Sequence, residues 1–167
     1  MATITLKGSP IRTNGELPAL KAQAPDFRLV ATDLAVRTLG DYAGRPVLLN
    51  IFPSIDTPVC ALSTRKFNEH AESHPDPVFL MVSADLPFAH QRFCGQAGLA
   101  NVIPLSMMRD RDFARDYGVL IMDGPLAGLA ARAVVVLDPQ GRVRYRELVP
   151  EIGQEPDYAQ AIGALGR

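Results

Sequence analysis

The sequence predicts an α/β domain with a mixed central sheet flanked by helices. Strand-like and helix-like runs alternate along the chain, turn signals punctuate them, and a tight turn late in the chain joins two adjacent strand-like runs. The 167 residues suggest a single domain, 1–167, with residues 1–18 as an N-terminal hairpin extension. The runs Thr3–Leu6 and Ile11–Leu17, around Gly8-Ser9-Pro10, are expected to form that hairpin. Strands are expected at Phe27–Ala31, Pro46–Phe52, Val78–Ser83, Val102–Ser106 and Ala133–Leu137. Asp138-Pro139-Gln140-Gly141 is a strong turn, returning through a strand at Arg142–Val149. Helices are expected at Pro58–Ser73, Pro87–Ala97, Asp112–Tyr117 and Asp157–Leu165.

Composition narrows the function classes. The chain is 47% hydrophobic and 21% charged, with a formal net charge of −1. That balance gives no electrostatic reason to expect nucleic acid or an anionic membrane as partner. No apolar run approaches the ~20 residues that span a bilayer. Met1–Leu17 lacks the basic start and apolar block of a secretory signal, so a cytoplasmic location is expected. In a reducing compartment the two cysteines suit a transient, catalytic disulfide better than a permanent one.

The stretch PSIDTPVC, Pro53–Cys60, is the chemical focus. PVLLNIF before it has no clean alternation and reads as a strand buried on both faces. Pro53 ends the ladder because it has no N–H to give. Thr57-Pro58 is a helix-start signal, a hydroxyl capping residue followed by proline at the first helical position. Cys60 then lies in the first helical turn, where free N–H groups and the positive end of the dipole favour an anion and activate a thiol. A strand end opening into a helix start is also where open α/β sheets place ligands. The alternative is an inert buried thiol, since Cys60, Thr64, Phe67 and Ala71 form one stripe at helical spacing.

Cys94 lies inside the helix PFAHQRFCGQA, on a flank shared with His90 and Gln91, and a half-buried thiol fits that placement. A 60–94 disulfide is permissible in chain entropy but requires local unwinding of one helix or both, and Gly95 and Gly98 weaken the second one. His70 and His74 share a helix face but lack a third ligand, so no metal site is expected; both read as solvated. There is no CxxC pair and no phosphate-cradling glycine loop; GPLAG at Gly124–Gly128 has no basic follow-up. Arg132 opens the apolar run ARAVVVLD, either as a strand-end arginine in solvent or as a guanidinium aimed at an anion inside the fold. Arg109 and Arg111 read as solvated surface residues.

Pro53, Thr57 and Cys60 spell PxxxTxxC, which resembles the active-site motif of the peroxiredoxins. The fuller PSIDTPVC is similar to the thiol peroxidase branch, the atypical two-cysteine type. The resemblance extends through SADLPFAHQRFC (Ser83–Cys94), YGVLIMDGPLAGLAARAVVVLD (Tyr117–Asp138) and ELVPEIGQEPDY (Glu147–Tyr158), without departure from the family pattern. It implies a thioredoxin-like fold with an extra N-terminal hairpin, a homodimer, hydroperoxide substrates with organic ones often favoured, and thioredoxin as reductant. It also implies Cys60 as peroxidatic nucleophile, Cys94 as resolving cysteine, Thr57 and Arg132 as groups that activate Cys60 and orient the peroxide, and Pro53 as a shield. No metal, flavin or other cofactor is called for. Two rival readings are a general thiol–disulfide oxidoreductase, which the missing CxxC disfavours, and a redox sensor using the same oxidation as a switch.

Overall fold

The computed structural model describes residues 1–166; Arg167, the last residue of the expected domain, lies outside the described residues. At the N-terminus β1 (Thr3–Leu6) pairs antiparallel with β2 (Ser9–Arg12). The turn differs from expectation. Lys7 and Gly8 both have positive φ, 50° and 82°, the geometry of a two-residue hairpin turn. Ser9 and Pro10 are therefore strand residues, with Pro10 opposite Thr5, and the second strand ends at Arg12 instead of reaching Leu17. Pro10 is tolerated because Thr5, opposite it, turns its N–H and carbonyl away towards Pro150 and Ile152, so the ribbon needs no N–H from Pro10.

The remaining strands are β3 (Leu29–Ala31), β4 (Val36–Arg37), β5 (Val47–Ile51), β6 (Val78–Ser83), β7 (Ile103–Ser106), β8 (Ala133–Leu137) and β9 (Val143–Leu148). They form one seven-stranded sheet in the order β4-β3-β7-β6-β5-β8-β9. The pairs β5–β6 and β6–β7 are parallel; every other pairing is antiparallel. The helices are α1 (Pro58–Ser73), α2 (Pro87–Ala97), α3 (Asp112–Asp116) and α4 (Tyr158–Leu165), with a 3-10 turn at Leu39–Tyr42. The mixed, helix-flanked sheet is the expected architecture; β4 and the 3-10 turn have sequence signals too short to detect.

All five residues of β5 are buried, as the unalternating PVLLNIF run requires. Its alternate side chains serve two cores. Leu49 and Ile51, with Leu80, Val82, Val135 and Leu137, face Phe27, Phe113, Tyr117 and the hairpin residues Ile4 and Ile11. Leu48 and Phe52, with Phe79, Met81, Val134 and Val136, face Cys60, Phe67 and Ala71 of α1 and Ala161 and Leu165 of α4. Helices α1 and α2 are neighbours, since Arg65 stacks on the Phe93 ring at 5.1 Å and Asn68 accepts from the Asn101 N–H at 2.9 Å.

The chain running into α4 also carries structure. Thr5 donates its N–H to the Pro150 carbonyl (2.8 Å), and Ile152 donates its N–H to the Thr5 carbonyl (2.9 Å). The N-terminal hairpin thereby holds Pro150–Ile152 in place against the body of the fold, a connection that positions part of the site described next.

Candidate active site

Pro53 is buried at the end of β5, and the loop Ser54–Thr57 leads into α1. Thr57 is the residue before the helix and Pro58 its first residue, as expected, but the Thr57 hydroxyl does not cap it. The reason is local. Thr57 donates both its N–H and its hydroxyl to the Ser54 carbonyl, each at 3.1 Å, which turns the side chain back into the loop. The hydroxyl consequently leaves the first-turn N–H groups of Val59 and Cys60 uncapped. Cys60 is fully buried among Phe52, Ile55 and Phe67. Its carbonyl accepts hydroxyls from Ser63 (3.1 Å) and Thr64 (2.9 Å), which fixes the turn that carries the thiol.

Arg132 is 1% exposed and among the bulkiest fully buried side chains, so it is not a strand-end arginine in solvent. Strand register puts it beside the Pro53 turn. Ile51 pairs with Ala133, so Phe52 and Arg132 occupy the next step at the same end of the sheet. Alternation from Val134 gives Arg132 the sheet face that α1 covers. Its Nε donates to the Ile152 carbonyl at 2.9 Å, the residue whose N–H is held by the N-terminal hairpin. Its Nη1 is buried without a hydrogen-bond partner among the described residues. A buried guanidinium N–H with no acceptor costs on the order of several kcal/mol, and an anion arriving at that site relieves the cost. Hydrogen bonds from Lys66 and Tyr158, with the charge of Arg132 behind them, hold the Glu155 carboxyl below its ordinary range. The Tyr158 ring meets Phe67 at 5.1 Å, so this charged cluster closes the α1 face beside Arg132.

Cys94 lies in the last turn of α2, half-buried, beside a surface groove of about 420 Å³ that includes Thr32, Gly98 and Pro104. Burial pushes its thiol up to about 11. Both cysteines are free. Cys94 neighbours the β3–β7 side while Cys60 is enclosed under α1, so the two thiols occupy different surroundings. Gly98, with φ 69°, ends the helix by donating its N–H to the Cys94 carbonyl. His70 and His74 are paired to each other through the His70 carbonyl and the His74 Nδ1 at 2.8 Å, and Arg109 and Arg111 are exposed. No cluster with metal-ligand composition occurs among the described residues, and no helix there is long and apolar enough to cross a membrane.

Sequence reasoning missed Asp85 and underrated His90. Asp85, in the β6–α2 turn, accepts from the Ser54 hydroxyl (2.7 Å), the Ile55 N–H (2.7 Å) and the Ser83 hydroxyl (2.6 Å). His90, one helical turn before Cys94, is 1% exposed, and its Nε2 lies 2.8 Å from the Ser83 hydroxyl. Because that hydroxyl gives its proton to Asp85, His90 donates through Nε2, leaving Nδ1 a buried acceptor without a partner. Nothing in SADLPFAHQ marks either residue as a hub, since their partners lie in other segments.

Burial pushes the His90 imidazole down to about 4, with the nearby Asp85 carboxylate opposing the shift. The folded state therefore resists a proton that the unfolded chain takes up below 6.5. The stability linked to His90 is present above that pH and erodes as pH falls towards 4. In His90→Asn, denaturant titrations across this window are expected to show a shallower pH dependence than the parent chain. An identical slope would remove His90 from the linkage.

A redoxin family model matches residues 19–162. The chain is 57% identical over 166 residues to a thiol peroxidase of Mycobacterium bovis, covering 99% of both. Among solved structures, a peroxiredoxin-like protein from Aquifex aeolicus superposes with a TM-score of 0.94 at 38% identity, covering 99% of this chain and 96% of that one. A thiol peroxidase from Chromobacterium violaceum gives 0.90 at 25% identity, with 98% and 95% covered. The chain therefore belongs to the redoxin family, among the peroxiredoxins of the thiol peroxidase kind.

Proposed function

We propose that this chain is a thiol-dependent peroxidase that reduces hydroperoxides through Cys60 and Cys94. The observation that carries the reading is the buried Arg132, with Nη1 unpartnered, at the sheet end and on the sheet face where Cys60 is enclosed. The relative's name, thiol peroxidase, supports the activity. The site supports the assignment of roles.

In the first step the Cys60 thiolate attacks one peroxide oxygen and the O–O bond breaks. Sulfur gains the oxygen as sulfenic acid, and the other oxygen leaves as alkoxide or hydroxide, taking a proton to become alcohol or water. Charge grows on the leaving oxygen, and donors fixed in a dry site stabilise it most. Arg132 Nη1 and the uncapped N–H groups of Val59 and Cys60 are such donors. Thr57, whose proton is already given to Ser54, acts as acceptor for the peroxide O–H. Pro53 closes the site without adding an N–H that would compete for substrate. The Cys94 thiolate then attacks the sulfenic sulfur, expelling hydroxide and forming the disulfide. A thioredoxin dithiol reduces that bond by exchange, returning both thiols.

A disulfide that must be reduced again in every cycle suits a reducing, cytoplasmic setting and a thioredoxin partner. A homodimer surface beside the site is supported by Leu86 and Phe88, 52% and 62% exposed where α2 begins. A signalling use of the same oxidation is favoured by one observation. Cys94 is half-buried, and that burial pushes its thiol up and makes it a poor nucleophile while it is docked, which prolongs the sulfenic acid. Turnover with thioredoxin separates the two: a scavenger cycles rapidly, a sensor stalls after one oxidation.

Three outcomes test this reading. Arg132→Met is expected to slow Cys60 oxidation by about 10²-fold, the usual loss for one transition-state donor, in stopped-flow assays with cumene hydroperoxide. An unchanged rate would remove Arg132 from the reaction. Cys94→Ser is expected to keep a full first oxidation, detected by mass spectrometry, and to lose thioredoxin-driven NADPH consumption; sustained turnover would show that another group resolves Cys60. Phe88→Glu is expected to convert a dimer to monomer in sedimentation velocity, and a dimer that survives it would place the interface elsewhere.

A further inference from the structure

The hydrogen bonds around Asp85 form a latch between the two cysteine-bearing segments. The carboxylate is anchored on the sheet: the Asp85 carbonyl accepts the Ser106 hydroxyl (2.5 Å) at the end of β7, and Oδ2 accepts the Ser83 hydroxyl (2.6 Å) at the end of β6. From this post it reaches the Cys60 loop twice, through the Ser54 hydroxyl on Oδ1 and the Ile55 N–H on Oδ2, each at 2.7 Å. Ser54 in turn holds Thr57 by its carbonyl and the Asp56 N–H by its hydroxyl (3.2 Å), so the loop before α1 hangs from one carboxylate. The same Ser83 hydroxyl accepts a hydrogen bond from His90 Nε2–H and holds α2 a turn before Cys94. On the surface, Arg92 of α2 pairs with Asp56 of the loop at 2.7 Å, but that pair is more than half exposed and adds little.

We propose that Asp85 is a positioning residue that sets the balance between the closed, peroxide-reactive form and the open form in which Cys94 reaches Cys60. The proposal rests on the assignment of Cys60 as peroxidatic and Cys94 as resolving. With the latch made, the first turn of α1 keeps the Cys60 thiol buried beside Arg132, and His90 keeps α2 docked. Cys94 cannot approach while both hold. Opening must break the Ser54 and Ile55 bonds to a carboxylate that stays with the sheet, and charge-assisted hydrogen bonds are the strong ones. The closed form favours the first oxidation. It also exposes the sulfenic acid to a second hydroperoxide, which transfers an oxygen to sulfur, leaves as alcohol and produces the sulfinic acid. Weakening the latch should slow the first reaction, speed disulfide formation and spare Cys60 from sulfinic acid. A residue that merely supports the fold would not move two steps in opposite directions.

Quenched-flow mass spectrometry of the full chain with cumene hydroperoxide reads the three species: Cys60 sulfenic acid, the 60–94 disulfide and Cys60 sulfinic acid. In Asp85→Asn, disulfide formation is expected to quicken by about ten-fold, the effect of one lost charge-assisted bond, with a matching fall in sulfinic acid under excess peroxide. Ser54→Ala keeps the Ile55 bond and is expected to shift both in the same direction by less; it decides the matter if Asp85→Asn does not fold. Resolution unchanged or slower in Ser54→Ala overturns the proposal. The parent chain reports the assignment separately: a Cys60 that is not oxidised, or a disulfide that does not include Cys94, overturns that reading itself.

Discussion

The antiparallel pairing of β5 with β8 is the constraint on which the site depends. Its register, Leu49 with Val135 and Ile51 with Ala133, delivers two unrelated segments to one corner: the strand that leads to Pro53 and Cys60, and the strand that Arg132 introduces. A one-residue slip would move the guanidinium to the other face of the sheet, among Phe27, Phe113 and Tyr117, where no thiol lies. Register is hard to slip here because both strands are buried along their whole length and their valines and leucines feed two separate cores. The packing that stabilises the domain and the alignment of the reactive groups are therefore one and the same set of contacts.

Burying a guanidinium in such a place is expensive, and the fold offsets only part of the cost. The Ile152 carbonyl satisfies Nε, and that carbonyl is itself held because the Ile152 N–H is bonded to Thr5 of the hairpin. The N-terminal extension is thus connected to the site at one remove: hairpin, then Pro150–Ile152, then Arg132. Nη1 is left over, an unmet hydrogen bond that an incoming oxygen anion can make. An unmet bond of this kind, retained where the proposed substrate would arrive, is what a preorganised site requires.

Much of this was legible in sequence because it is local. A strand run without alternation, a proline stop and a Thr-Pro helix start all act within a few residues, and they placed Cys60 in the first turn of α1 as observed. Local reasoning failed where a residue had a better offer from nearby or from afar. Thr57 is a good capping residue, yet the Ser54 carbonyl takes its hydroxyl. Gly8-Ser9-Pro10 reads as a turn, yet Lys7 accepts the left-handed conformation and Pro10 joins the strand. Asp85 was silent because an aspartate before a proline-started helix is ordinary; its partners Ser54 and Ser106 come from distant segments that only the finished sheet brings together.

The two cysteines have been given opposite surroundings, and that opposition suits the order of action proposed for them. Cys60 is enclosed at a helix start, where uncapped N–H groups meet whatever anion forms. Cys94 is half-buried near the end of a helix weakened by Gly95 and Gly98, and burial holds its proton in place. A resolving thiol that ionised while docked would be open to oxidation by the peroxide meant for Cys60. One that ionises only on release becomes a nucleophile when α2 has already moved, which is when the sulfenic sulfur has come within reach. In the proposed mechanism, the same desolvation that makes Cys94 inert in the closed fold would sequence the reaction, with helix opening as the step that joins its two halves.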